Sequence, residues 1–282
     1  WRGESPNWVD DRQPPGLFYQ HGTGLGKTVG ETTDALEARY GNDIDVATIG
    51  TAGENQVRFA SIISSRTHQA QRMGMGAVMG SKKLKAIVLK GGTLPPIADP
   101  TSYDTINNQF SNDIPRNTLS NWQKQPPGFA VWVHLVGLDA ALTTKNFSTA
   151  TFDGVDAYKE ENWLPMYRGV SPCPGCPNDC MKIYHSDDAL DLRAGAMHQE
   201  ITGTLGPNIG TTDIGVLMRF NNMCNQWGLD PVSLGFTLSF AMEAFERGIL
   251  TTDHTNGLEL RFGNHAASLE MTRQIVQREG LG

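Results

Sequence analysis

Three of the chain's four cysteines, Cys173, Cys176 and Cys180, fall in one short stretch with the spacing C-x2-C-x3-C. Thiolates this close can hold one metal centre from a single loop, and that requirement constrains the fold more than any other feature. Pro174, Gly175 and Pro177 keep the stretch out of regular structure, so the sulfurs can turn inward. A cubane iron–sulfur cluster normally takes four thiolates. The spacing also differs from the paired C-x2-C knuckles of a zinc ribbon. The loop therefore needs a fourth ligand. Cys224 is the remaining cysteine. On an apolar helix face it reads first as a small buried hydrophobe; the alternative is a non-catalytic iron–sulfur or zinc module that uses it as fourth ligand.

The net charge of −7 argues against a nucleic-acid surface. No apolar run reaches transmembrane length, and no charged-then-apolar N-terminal pattern reads as a secretory signal. Clustered cysteines of this kind suit a reducing compartment better than a disulfide framework. The chain starts at Trp1 rather than Met and stops at Gly282, straight after a helix-like segment from Ala266 to Arg278. These ends lead us to expect a fragment of a longer protein.

The periodicity predicts an α+β chain. Residues 1–30 read as irregular. A helix is predicted over Glu31 to Tyr40 with Gly41 as its stop, and strands over Asp45 to Ile49, Val57 to Ile63 and Ala86 to Leu89. Between the last two lies a glycine loop, Gly74 to Gly80. Leu94, Pro95 and Pro96 mark the expected boundary between a β-rich region, 1–95, and a mostly helical region, 96–282. Helices are predicted over Thr101 to Phe110, Phe129 to Leu142 and Thr212 to Trp227. The third sets Ile214, Leu217, Phe220 and Cys224 on one face. Residues 143–175 read as a long surface stretch. Gly228 closes the Thr212 helix, and the next runs to about Arg247, with Asp230 as N-cap and Pro231 at its first position.

Two glycine-rich stretches fail as nucleotide signatures. In Gly22 to Thr28 the position that a P-loop reserves for its first glycine is His21, so the segment reads as a turn. Gly74 to Gly80 has neither the strand before it nor the helix after it that a dinucleotide site needs. It reads as a tight turn, or as a loop whose amides approach phosphate oxygens beside Arg72, Lys82 and Lys83. Glu200 follows the cysteine loop; a carboxylate there can move protons if burial raises its pKa, and otherwise it is a surface acid.

Together these blocks resemble the aldehyde ferredoxin oxidoreductase family of tungsten-pterin enzymes. Ala52 to Ala60 (AGENQVRFA), Arg72 to Ile87 (RMGMGAVMGSKKLKAI), the cysteine loop, the Glu200 segment and Asn225 to Asp230 (NQWGLD) stand in the family's order. The resemblance implies the end of an N-terminal β-sheet domain followed by a mostly α-helical domain. It implies that Cys173, Cys176 and Cys180 hold three irons of a [4Fe-4S] cluster, with the fourth ligand beyond this chain. Arg72, Gly74 and Gly76 match the loop near the pterin phosphates, where a Mg ion would bridge them. Gly228, Leu229 and Asp230 match the pterin motif, in which Asn225 stands where the family carries Asp. An amide donates where a carboxylate only accepts. Gln71 stands where many relatives have Gly, and Met73 where they have a small residue. Glu200 matches a glutamate near the metal.

The activity implied is oxidation of a small aldehyde to a carboxylic acid at a tungsten (or molybdenum) bis-pterin. Electrons would pass through the cluster to ferredoxin or another electron-transfer protein, in an anaerobic prokaryote's cytoplasm. A homodimer or a hetero-oligomer fits the family, as does a sibling activity on an acyl substrate of the benzoyl-CoA reductase type.

Overall fold

Thr28 sets the first helix. Its hydroxyl accepts from the Glu31 N–H at 3.2 Å, and the Glu31 carboxylate accepts from the Thr28 N–H at 2.8 Å. This reciprocal capping box starts α1, Val29–Tyr40, two residues before the predicted start. The computed structural model describes residues 17–20, 25–91, 96–197 and 199–282, the first four by backbone alone. Leu94 and Pro95 of the expected boundary, and residues 21–24 of the first glycine-rich stretch, lie outside the described residues.

The architecture is α+β. β1 (Leu17–Gln20), β2 (Ile44–Ile49), β3 (Ile62–Ser64), β4 (His68–Ala70) and β5 (Ala86–Lys90) form an antiparallel sheet in the order β1-β5-β2-β3-β4. Leu36 of α1 packs with Val46, Ala86 and Val88, which covers one face of the sheet. Two short helices, α2 (Thr51–Glu54) and α3 (Met75–Ser81), pack against each other beside it.

Helices dominate the rest: α4 (Pro100–Asp113), α5 (Thr118–Lys124), α6 (Trp132–Gly137), α7 (Glu160–Trp163), α8 (Gln199–Thr204), α9 (Ile214–Trp227), α10 (Pro231–Glu246) and α11 (His265–Gln277). A second antiparallel sheet joins β6 (Tyr167–Val170), β7 (Lys182–Tyr184) and β8 (Ala196–Met197) in sequence order. The main core gathers Leu217, Phe220 and Cys224 of α9, Leu234, Leu238 and Met242 of α10, and Ile201 and Leu205 near α8, and it reaches back to Ala52, Val57 and Ala60.

Five expectations are corrected. Residues 1–30 are not all irregular, because Leu17–Gln20 pairs with β5. Gly74 to Gly80 is neither a loop nor a turn between strands: Met73 (φ 80°) and Gly74 (φ 69°) reverse the chain, and α3 follows. Its small residues serve close packing, and an α-helix without an apolar stripe leaves no periodic signal. The strand expected over Val57 to Ile63 starts only at Ile62. Val57 N–H bonds the Ala52 carbonyl and Ala60 N–H bonds the Val57 carbonyl, which makes the first half a turn. The helix expected over Phe129 to Leu142 is broken into a 3₁₀ turn, Gly128–Val131, and the short α6. Residues 143–175 are not all surface, because Tyr158 and Trp163 are fully buried and pack edge to face with Tyr184 through Trp163.

Candidate functional site

Three separate stretches, 50–61, 74–80 and 227–230, meet backbone to backbone. Gly76 N–H donates to the Ala60 carbonyl at 2.9 Å, Ser61 N–H to Gly228 at 2.8 Å, and Asp230 N–H to Phe59 at 2.9 Å. A Cβ on Gly80 would stand 1.8 Å from the Gly53 oxygen, on Gly50 2.2 Å from the Trp227 oxygen, on Gly74 2.2 Å from the Arg58 oxygen and on Gly76 2.5 Å from the Ser61 oxygen. Only glycine permits such approaches. Gly228 ends α9 at φ 72°, and Leu229 behind it is wholly buried. Below this seam Lys85 and Glu54 form a buried ion pair, and Glu54 also accepts from Gly26 N–H at 2.8 Å. Burial pushes the Lys85 ammonium down, and the Glu54 partner opposes that. The blocks 52–60, 72–87 and 225–230 are thus one packed unit.

Asp230 is buried and caps α10. Its carboxylate accepts from Val232 N–H at 3.1 Å and from Ser233 N–H at 3.2 Å, and also from the Ser233 hydroxyl. Arg72 approaches the same carboxylate, Nε to Oδ2 3.5 Å, while 64 % of its side chain stays exposed. The capped carboxylate therefore anchors a guanidinium whose outer edge is free to meet an anion. Asn225 is buried and points into protein. Its amide donates to the Ala194 carbonyl at 2.8 Å and the Ala196 carbonyl at 3.2 Å, and its oxygen accepts from Gln69 at 2.7 Å. A carboxylate here would face two carbonyl oxygens, which explains an amide at this position.

The cysteines lie in the connection between β6 and β7. Val170 pairs with Lys182, and Ser171 N–H donates to the Met181 carbonyl at 3.0 Å, so residues 171–181 close a hairpin. Gly175 (φ 72°) and Asp179 (φ 49°) turn the loop. α5 holds it from outside: Lys124 donates to the Pro177 carbonyl at 2.8 Å and pairs with Asp179 at 3.3 Å, and Asn178 donates to Gln123 at 2.9 Å. Cys173 is exposed, Cys176 and Cys180 half-buried. Burial pushes the Cys180 thiol up, and Cys173 and Cys176 add to it, so the three sulfurs share one electrostatic neighbourhood. Cys224 belongs elsewhere: burial, then the Asp230 carboxylate, push its thiol far above the ordinary range, which places it by the α9–α10 turn.

Glu200 stands in the first turn of α8 with its side chain exposed. β8, which pairs with β7 behind the cysteine loop, leads directly into this helix. Sequence reasoning missed Gln69, Lys124 and Lys182. The last had a signal, because Lys182 and Tyr184 alternate on the buried side of β7.

The donors near the glycine seam fit an anionic group, and the three cysteines stand on one loop. Among the described residues no three His, Cys, Asp or Glu side chains converge on one point. Near the seam, Gln69 Oε1 and Gln71 Nε2 are buried polar atoms without a protein partner. Together with the exposed edges of Arg58 and Arg72 they suit a polar, anionic group.

Two family models match this chain: "Aldehyde ferredoxin oxidoreductase, N-terminal domain" over residues 16–91 and "Aldehyde ferredoxin oxidoreductase, domains 2 & 3" over residues 105–282. The tungsten-containing aldehyde ferredoxin oxidoreductase of Thermococcus kodakarensis is 34% identical over 260 residues, 91% of this chain and 43% of the relative. An aliphatic sulfonate oxidoreductase, WOR-like subunit, of Pyrococcus furiosus is 31% identical over 83% of this chain and 38% of its own length. Among solved structures, the active site complex BamBC of benzoyl coenzyme A reductase with 1,5 dienoyl-CoA superimposes with a TM-score of 0.73 at 26% identity, covering 91% of this chain and 40% of that one. The chain spans less than half the length of these curated relatives.

Proposed function

This chain belongs to the aldehyde ferredoxin oxidoreductase family, and from that premise we propose that it supplies the pterin seam and the cluster loop of a tungsten-pterin aldehyde oxidoreductase. The overall reaction would turn an aldehyde and one water into a carboxylic acid, two protons and two electrons. When bound, the tungsten (or molybdenum) bis-pterin and the [4Fe-4S] cluster supply the redox chemistry, taking the electron pair and passing it singly to ferredoxin or another electron-transfer protein. Cys173, Cys176 and Cys180 would each hold one iron. Arg72, set by Asp230, would pair with the pterin phosphates beside Gly74 and Gly76, and a Mg ion there would supply further positive charge. Asn225, Gly228 and Leu229 would shape the wall of that site from behind. Glu200 would take the proton released as water adds to the aldehyde carbon.

The observation that carries this reading is the continuity of one segment. The three-thiol loop leads into β7, then β8, then the helix bearing Glu200. The groups proposed to carry electrons and protons would thereby share one continuous stretch of chain. Among the described residues no helix is long and apolar enough to cross a membrane. The family resemblance alone leads us to propose an oxygen-free cytoplasm as the setting, and a homodimer or hetero-oligomer as the assembly.

The test is anaerobic expression of the full reading frame, with iron and tungsten counted and aldehyde oxidation followed with ferredoxin as acceptor. Glu200→Gln should keep both metals and lower turnover by about 10²–10⁴-fold, the usual weight of a general acid–base group. Unchanged turnover would make Glu200 a surface acid. A second reading, reduction of an aromatic acyl-coenzyme A thioester on the same scaffold, is favoured by the BamBC likeness. Turnover of the thioester but not of aldehydes would select it.

A further inference from the structure

Lys182 is a lysine where a lysine is expensive. It begins β7, two residues after Cys180, and only 2 % of it is exposed. Its stem packs on Gly128, where a Cβ would lie 3.7 Å from its Cγ and Cε. With Pro127, Phe129, Ala130, Tyr184 and Cys180 it lines a narrow cleft. An ammonium carries three donors. Among the described residues the one hydrogen bond of the Lys182 ammonium goes to the Asp179 carbonyl, a neutral acceptor. The Asp179 carboxylate is paired instead with Lys124, at 3.3 Å. Burying a cation with one carbonyl partner is strongly unfavourable unless negative charge arrives to compensate it.

We infer that Lys182 is the counter-charge of the cluster: its buried ammonium offsets the negative charge of the thiolate-bound irons and favours the reduced form. This rests on the reading of Cys173, Cys176 and Cys180 as cluster ligands. The electrostatics are direct. Each one-electron reduction adds one negative charge beside a fixed cation in a poorly solvated place, where such interactions are weakly screened. Charge and burial around a cluster are known levers on its potential. Lys182 touches neither aldehyde nor pterin in this account; it acts through the cluster.

The experiment uses the full-length protein purified without oxygen. Iron is counted, and the midpoint potential is read by electron paramagnetic resonance during redox titration, in wild type, Lys182→Met and Lys182→Arg. Met preserves the packed stem without charge, and Arg preserves the charge. We expect Met to keep its iron and to shift the potential negative. A tenfold weakening of the reduced form corresponds to about 59 mV for a one-electron couple. Arg should stay near wild type. Loss of iron in Met but not in Arg would also support the counter-charge. An unchanged potential in Met with full iron would overturn it, as would loss of iron in both variants, which would make Lys182 a packing support. Wild type without a four-iron cluster would instead sink the functional reading on which the inference depends.

Discussion

The glycine seam and the cysteine loop use the same residue for opposite reasons. In the seam a Cβ on Gly50, Gly74, Gly76 or Gly80 would strike backbone at 2.5 Å or less. In the loop a Cβ on Gly175 would meet nothing within 4 Å, and glycine is there for its φ of 72°. The seam is fixed by what it lacks, and its contacts are backbone to backbone. The loop is fixed by side chains that reach it from α5 and from β7. A pterin site built on the first would be rigid without ligand. A cluster site built on the second would be adjustable, which suits a centre that must be assembled after the chain folds.

The largest expected effect tests that contrast directly. Gly80→Ala leaves the new methyl no space against Gly53, so the two short helices must separate. We expect a loss at or above about 3 kcal/mol, the upper part of the usual overpacking range. Gly175→Ala should cost about 1–2 kcal/mol, the cost of one left-handed residue with a side chain. Urea unfolding of both variants measures the difference. Equal losses would erase the distinction between the two regions.

The contrast also explains what could be read in advance. The three-cysteine loop, the Asp230 cap and the Thr212 helix announce themselves through local spacing, and the structure has α9 and α10 within a residue or two of those readings. The seam's chemistry was legible only as glycine-rich blocks in the order of the family they resemble, because α3 carries no apolar stripe. Asn225 illustrates the limit. Its partner Gln69 lies 156 residues away, and its carbonyl partners belong to the turn before β8 and to β8 itself. No local pattern encodes such pairing. The buried aromatics Tyr158 and Trp163 sit among polar neighbours, and this is why 143–175 read as surface. The loop's fastening to α5 likewise depends on a tertiary approach that sequence alone does not show.

A middle-sized effect sharpens the seam's part in the site. Asp230→Ala removes an oxygen pair that caps two N–H groups and anchors Arg72. It should cost about 2 kcal/mol, the top of the capping range. Asp230→Asn keeps an acceptor for the cap, so thermal stability should stay close to wild type. In the full-length protein Asn should nonetheless lower tungsten content, because the uncharged amide no longer sets Arg72. Full tungsten in both variants would leave Asp230 as a cap alone.

The smallest expected effect concerns the loop's outer clamp. Lys124 and Asp179 are each about a third exposed, 39% and 31%, and such pairs contribute less than about 1 kcal/mol. Lys124→Met should therefore barely change global unfolding. It removes two fastenings of the loop, the pair with Asp179 and the hydrogen bond to the Pro177 carbonyl. Backbone amides of 171–181 should then exchange hydrogen faster, while those of the seam keep their rate. Raising salt in wild type should move the loop the same way, because partly exposed pairs are screened. The variant should respond less to salt, having no pair left to screen. If exchange in the seam rises together with the loop, the two regions open as one cooperative unit, and the adjustable loop on a rigid base is the wrong picture.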